Sequence, residues 1–165
     1  KYAETEVIQG HIEFNSRVNE FYYVNKAGHK FEMTMTAEGF KQIGGILALI
    51  RQGLLGPGSI LFLDEPDNNL NPPVINKMLE VLKRLAEAGV QIFLTSHNYF
   101  VLNRLHIMAK RNQKMDYRLL NLTRSAHTPQ ATILSSDLKA VLPENLNIIK
   151  EALHLYDDDL KTDLS

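Results

Sequence analysis

The chain has 165 residues, 44% hydrophobic and 22% charged, with a net charge of −1; this allows one domain with a substantial core and gives no global pull toward nucleic acid or anionic membrane. It holds no cysteine, which excludes disulfides, thiolate metal sites and cysteine nucleophiles. No apolar run approaches the roughly 20 residues of a membrane span and no signal peptide is visible, so a cytoplasmic protein without membrane contact is expected.

In chain order, the first thirty-five residues fall into short strand-like pieces. TEVIQGHIEF and EFYYVN are separated by the polar stretch NSRVN, and KFEMTMT follows the turn signal NKAGHK. This predicts a small antiparallel meander over 1–36. From Glu38 the period changes: Phe40, Ile43, Leu47, Ile50 and Leu54 fall three or four apart, a helical stripe that ends in the breaker GLLGPGS. ILFL at 60–63 is short and apolar throughout, which suits a central strand covered on both faces. Asn71 offers an N-cap with Pro72 and Pro73 at the first helical positions. The helix behind it turns Val74, Ile75, Met78, Leu79, Leu82 and Leu85 inward, and Gly89 stops it.

VQIFLT at 90–95 is a second buried-type strand. Residues 98–110 read as a helix with Phe100, Val101, Leu105 and Met108 as its apolar set. DYRLLNLTR and QATILSS predict a hairpin. From Pro143 an amphipathic tail helix runs through Leu146, Ile149, Leu153, Tyr156 and Leu160. The strand–helix–strand alternation in the middle argues for an α/β fold with a mainly parallel central sheet, preceded by the antiparallel meander and flanked by helices.

Two stretches carry chemistry. Ligands of an open α/β sheet gather at the carboxyl ends of its strands, where ILFLDEP places Asp64 and Glu65. Consecutive acids leave a strand in different directions. One can hold a hydrated magnesium ion while the other addresses an attacking water, the two roles phosphoryl transfer needs. The alternative is a strand that ends in a charged turn, with Pro66 as terminator. Thirty residues on, VQIFLTSHNYF ends its strand in Ser96-His97. If the two strands are neighbours, His97 reaches the edge that Glu65 occupies; otherwise Ser96 caps the next helix and His97 is solvated. His11, His29, His106, His127 and His154 show no metal-ligand spacing. Asp157, Asp158 and Asp159 read as a solvated helix face, and Lys110, Arg111 and Lys114 as a solvated helix end.

The combination is more specific than either part. ILFLDEP, then NNLNP, then a helix, a strand and TSH, resembles the carboxyl-terminal lobe of soluble bacterial ABC-type ATPases, a group near the recombination-repair, chromosome-maintenance and phage-defence ATPases. The resemblance is strongest over residues 36–105. It makes ILFLDE the Walker B strand, with Asp64 on magnesium through water and Glu65 as general base. Asn68 to Asn71 become the D-loop, and His97 the switch histidine. TAEGFKQIGGILALI stands where the family carries its signature motif, Gly39 aligning with that motif's second glycine. Amides at a helix N-terminus make a phosphate site there, used in trans. Ala37 stands in place of a serine and Glu38 in place of a glycine, so Thr36 or Lys41 are further candidates for the contact.

The family also needs a P-loop, G-x-x-x-x-G-K-[ST], and no glycine of this chain is followed by lysine. GLLGPGS has the glycines but leads into a strand. The resemblance therefore implies a carboxyl-terminal portion of a longer ATPase, in keeping with an opening KYAETEV that lacks methionine. Its segments would be the meander (1–36), the signature helix, Walker B, D-loop and switch histidine (37–110), and a hairpin with tail helix (111–165). ATP and Mg2+ are the implied cofactors. A P-loop lobe, a second copy in a head-to-tail dimer, and DNA or a nuclease are the implied partners. The chain alone is expected to be inactive. Two other readings stay open: a non-hydrolytic scaffold that binds ATP or dimerises, favoured by the altered signature, and a nuclease whose acids hold catalytic metal.

Overall fold

Alternation of apolar and polar residues builds the first sheet. In the computed structural model, which describes residues 4–5, 9–18, 20–32, 38–124, 131–141, 150–151, 153–157 and 161, strands β1 (Gly10–Asn15), β2 (Glu20–Asn25) and β3 (Lys30–Glu32) pair antiparallel in the order β1-β2-β3. Pairing Ile12 with Tyr23, Phe14 with Phe21, and Tyr23 with Phe31 puts an aromatic row on one face. The Phe14 and Phe21 rings lie 4.8 Å apart. Asn25 makes the β2–β3 turn, its side-chain oxygen accepting the N–H groups of Ala27 and His29 at 3.0 and 2.9 Å. Two expectations change here. Glu4 and Thr5 sit in a helical turn rather than a strand, and Met33 to Thr36 of the third piece lie outside the described residues.

The chain divides into two compact units, Lys1–Ser96 and His97–Ser165. In the first, helix α1 (Glu38–Arg51) begins where the period of the sequence changes. Its core stripe is Ile43, Ile46, Leu47 and Ala48, each under one-tenth exposed. Ile50 is partly exposed at 37% and Leu54 lies past the helix end at 65%, so the expected stripe stops one turn early. Arg51 ties the helix end to the meander, donating to the Ile12 carbonyl and pairing with Glu4.

The 52–59 loop leads into β4 (Ile60–Leu63), which pairs in parallel with β5 (Gln91–Leu94) through helix α2 (Pro72–Glu87). This is a βαβ unit. Asn71 caps α2 as expected, its side chain accepting from the Val74 N–H at 3.1 Å, with both prolines in the first turn. Ile75, Met78, Leu79, Val81 and Leu82 are buried, while Val74 and Leu85 are half-buried. Gly89 (φ 95°) ends the helix run, and its carbonyl accepts from the Gly58 N–H at 2.8 Å. A Cβ at Gly89 would meet Pro57 at 3.4 Å, an ordinary contact, so it is the left-handed turn that selects glycine.

Where both faces of the two apolar strands were expected to be covered, only one is covered among the described residues. Ile60 is 55%, Phe62 72% and Phe93 39% exposed, and the two phenylalanine rings stack at 5.0 Å in solvent. Leu61, Leu63, Ile92 and Leu94, on the other face, are half-buried. An apolar strand reports that both faces are suited to burial; it does not supply the covering layers.

The second unit holds helix α3 (Tyr99–Arg111) and the antiparallel hairpin of β6 (Arg118–Arg124) and β7 (Ala131–Asp137). Val101, Met108 and Ala109 are buried. His106, a packing residue, is also buried, its Nδ1 2.8 Å from the Leu138 carbonyl and so joining α3 to the end of β7. Of the tail helix, residues 150–151, 153–157 and 161 are described and helical. Leu153 and Tyr156, from its apolar stripe, are 44% and 61% exposed; Leu146, Ile149 and Leu160 lie outside the described residues. The elements make a mixed α/β fold: an antiparallel N-terminal meander, a parallel pair and several helices.

Candidate functional site

The parallel register brings the two strand ends together. Leu63 pairs with Leu94, and the Thr95 N–H donates to the Leu63 carbonyl at 2.9 Å, so the ladder runs one residue past β5. Thr95 therefore arrives beside Asp64. Its hydroxyl donates to Asp64 Oδ1 at 2.5 Å and accepts the Glu65 N–H at 3.0 Å. One side chain on the second strand thus touches both acids that end the first.

Glu65 has a left-handed backbone, φ 42°, uncommon for a residue with a side chain. That turn, rather than strand alternation, separates the two carboxylates, because β4 ends at Leu63. Pro66 follows as the expected terminator. The Asn68 N–H closes back on the Glu65 carbonyl at 3.1 Å, and Asn68 Nδ2 donates to Glu65 Oε2 at 2.7 Å. Asn69 is left-handed too, φ 62°. The asparagine-rich segment is a tight turn that folds over Glu65 and grips its carboxylate.

The structure thus brings together Asp64, Glu65 and Asn68. Thr95 completes the group, and sequence reasoning missed it. The available signal was its place, one residue past a strand and opposite the first acid. Asn71 is on the same turn, but its side-chain oxygen serves the α2 cap. Glu38 and Gly39 form the first turn of α1, and Lys41 follows half-buried. Thr36 and Ala37 lie outside the described residues. His97 opens the second unit, exposed, three residues past β5. The residue that caps α3 is Asn98, which accepts from the Phe100 N–H at 2.9 Å, and not Ser96.

The donor set suits a hard, hydrated cation. Asp64 is exposed, and Thr95 occupies one lone pair of its Oδ1. Among the described residues no group of three or more His, Asp or Glu converges as a metal site. A single hard carboxylate beside open solvent fits Mg2+, which keeps most of its waters and takes one or two protein carboxylates together with substrate phosphates. Asp67, between the two acids and Asn68, is buried, and its Oδ1 has no hydrogen-bond partner among the described residues.

Comparison with known proteins gives a family and a fold. The family model described as "AAA domain, putative AbiEii toxin, Type IV TA system" matches residues 4–103. An SMC ATPase, from work on ATP-driven dimerisation and DNA-stimulated activation, superposes with TM-score 0.56 at 8% identity, over 84% of this chain and 80% of that one. An SMC head bound to the C-terminal winged-helix domain of ScpA gives TM-score 0.57 at 11% identity, over 84% of this chain and 40% of that one. The Smc head with an extended coiled coil, bound to the C-terminal domain of ScpA derived from Pyrococcus furiosus, gives 0.55 at 10% identity, over 95% and 35%. This chain therefore spans well under half of the two longer heads. At such identities the likeness shows the fold. No curated protein matches the chain in sequence. No helix among the described residues is long and apolar enough to cross a membrane.

Proposed function

The chain belongs to this AAA-domain family of the AbiEii toxin type, and from that premise we propose that it is the carboxyl-terminal portion of an ABC-type ATPase that binds and hydrolyses ATP with Mg2+. One observation carries the reading: Asp64 and Glu65 end a parallel strand whose neighbour returns Thr95 onto both of them. Asp64 is the metal-side carboxylate, acting through water. Glu65, held by Asn68, is the general base that orients the attacking water. His97 reads the γ-phosphate. Magnesium bound there neutralises phosphate charge.

The remaining parts come from outside this chain. Over 1–36, 37–110 and 111–165 the chain supplies meander, catalytic segment and hairpin with tail helix; a P-loop lobe supplies the amides and lysine that hold the β- and γ-phosphates. The solvent-facing Phe62–Phe93 stack supports a further layer on the parallel pair. Two nucleotides would lie between head-to-tail subunits of a homodimer, each reached in trans by the start of α1 through Thr36 to Gly39 and Lys41, with Asn68 and Asn71 on the D-loop side. SMC ATPases, whose fold this chain shares, are described by ATP-driven dimerisation. Here the cycle would act on DNA or a partner such as a nuclease, in the cytoplasm, in a setting such as phage defence.

In the complete protein, Glu65→Gln is expected to cut ATP turnover at least about 100-fold while ATP binding persists and dimers accumulate. Phosphate release, nucleotide titration and light scattering check this, and unchanged turnover would remove Glu65 as the base. A second reading, an ATP-binding scaffold without turnover, is favoured by Ala37 and Glu38 in the signature position. Wild-type protein that binds ATP yet releases no phosphate, even with DNA, would support it.

A further inference from the structure

We propose that Thr95 is a positioning residue for the acid pair, its hydroxyl fixing the Asp64 carboxylate and the Glu65 backbone in one arrangement; this rests on the ATPase reading above. A hydroxyl has one proton to donate and lone pairs to accept. At Thr95 the proton goes to Asp64 Oδ1 and a lone pair takes the Glu65 N–H, so both capacities are used in one direction each. The backbone of Thr95 is anchored separately, through its N–H to the Leu63 carbonyl. The hydroxyl is thus the end of a rigid ladder and not of a loose loop.

Two consequences follow for the acids. The bond to Oδ1 sets the rotation of the Asp64 carboxyl group. The bond to the Glu65 amide adds a hold on a residue whose φ of 42° is left-handed. Asn68 then fixes the other end of Glu65, at Oε2. Thr95 sets the backbone of the base and Asn68 its head group. Neither Thr95 oxygen nor methyl needs to touch nucleotide for this.

The test compares Thr95→Val, which keeps the branched shape and loses the hydroxyl, with Thr95→Ser, which keeps the hydroxyl, in the complete protein. Thermal melting first establishes that each variant is folded. Amide hydrogen exchange at Glu65 is the readout that needs no turnover: about tenfold or more acceleration is expected in T95V, with T95S near wild type. Turnover is expected to fall about 10- to 100-fold in T95V, with a raised Mg2+ requirement and unchanged metal-free ATP affinity, and to be restored in T95S. Equal Glu65 exchange in all three proteins overturns the positioning, whatever the turnover. Fast exchange in T95S as well overturns the role of the hydroxyl. Fast exchange in T95V with unchanged turnover, in a protein that Glu65→Gln inactivates, overturns it too. Fast exchange in T95V alone, in a protein that Glu65→Gln leaves fully active, sinks the ATPase reading and keeps the hydroxyl's hold on Glu65.

Discussion

Asp67 is the residue whose chemistry is least settled by its own surroundings. It is 6% exposed and one carboxylate oxygen meets no donor among the described residues, a situation that costs a folded chain about 1–3 kcal/mol. Asp67→Asn replaces one of its two acceptor oxygens by NH2 at nearly constant volume. We expect Asp67→Asn to leave the chain folded and raise its melting temperature by a few degrees; a fall of similar size would show that the oxygen has a donor in solution. Glu65 and Asn68 contrast with it, because each has its partner. At this scale the sequence made Asp64 and Glu65 legible as a pair, since they are neighbours in the chain, and Asn68 as part of the turn that follows them. Thr95 was not legible, because only strand register makes it a neighbour of Asp64.

Helix α2 shows how local rules can be sufficient for an element. Asn71, Pro72 and Pro73 at the start and Gly89 past the end are all local signals, and each does what its chemistry predicts. Removing the cap tests this directly: Asn71→Ala is expected to cost about 1 kcal/mol, read as a lower denaturation midpoint with an unchanged slope. Helix α3 is the counter-example. Asn98 and Ser96 both carry capping oxygens two residues apart, and only the path of the chain after Leu94 decides that Asn98 is the cap. The α1 stripe fails at its end for a similar reason: the helix stops at Arg51, so Leu54 no longer shares a face with Leu47.

At the scale of the whole molecule the sequence carries no P-loop pattern. No glycine of the chain precedes a lysine, so the amides and ammonium of a P-loop are not supplied by these residues. We expect titration of the isolated chain with ATP and Mg2+ in a calorimeter to show no saturable binding below millimolar concentration, and the complete protein to bind at least about tenfold more tightly. Tight binding by the isolated chain would place the phosphate contacts within it. The exposed Phe62–Phe93 stack belongs to the same scale. Apolar strands were legible as interior strands, yet their second face is open to solvent among these residues, which no count of hydrophobic residues could have revealed.

By itself the sequence determined what depends on near neighbours along the chain: the meander and its turn at Asn25, the capped helix between two parallel strands, and the two acids at a strand end. The tertiary structure decided what depends on distance across the chain. It set the register that lays Thr95 against Asp64 and Glu65, the left-handed turn that parts the two carboxylates, the burial of Asp67, and which face of the parallel pair is open. Turns, caps and periodicity are short-range and are written in adjacent residues. Register and burial arise from contacts between segments some thirty residues apart, and no single segment contains them.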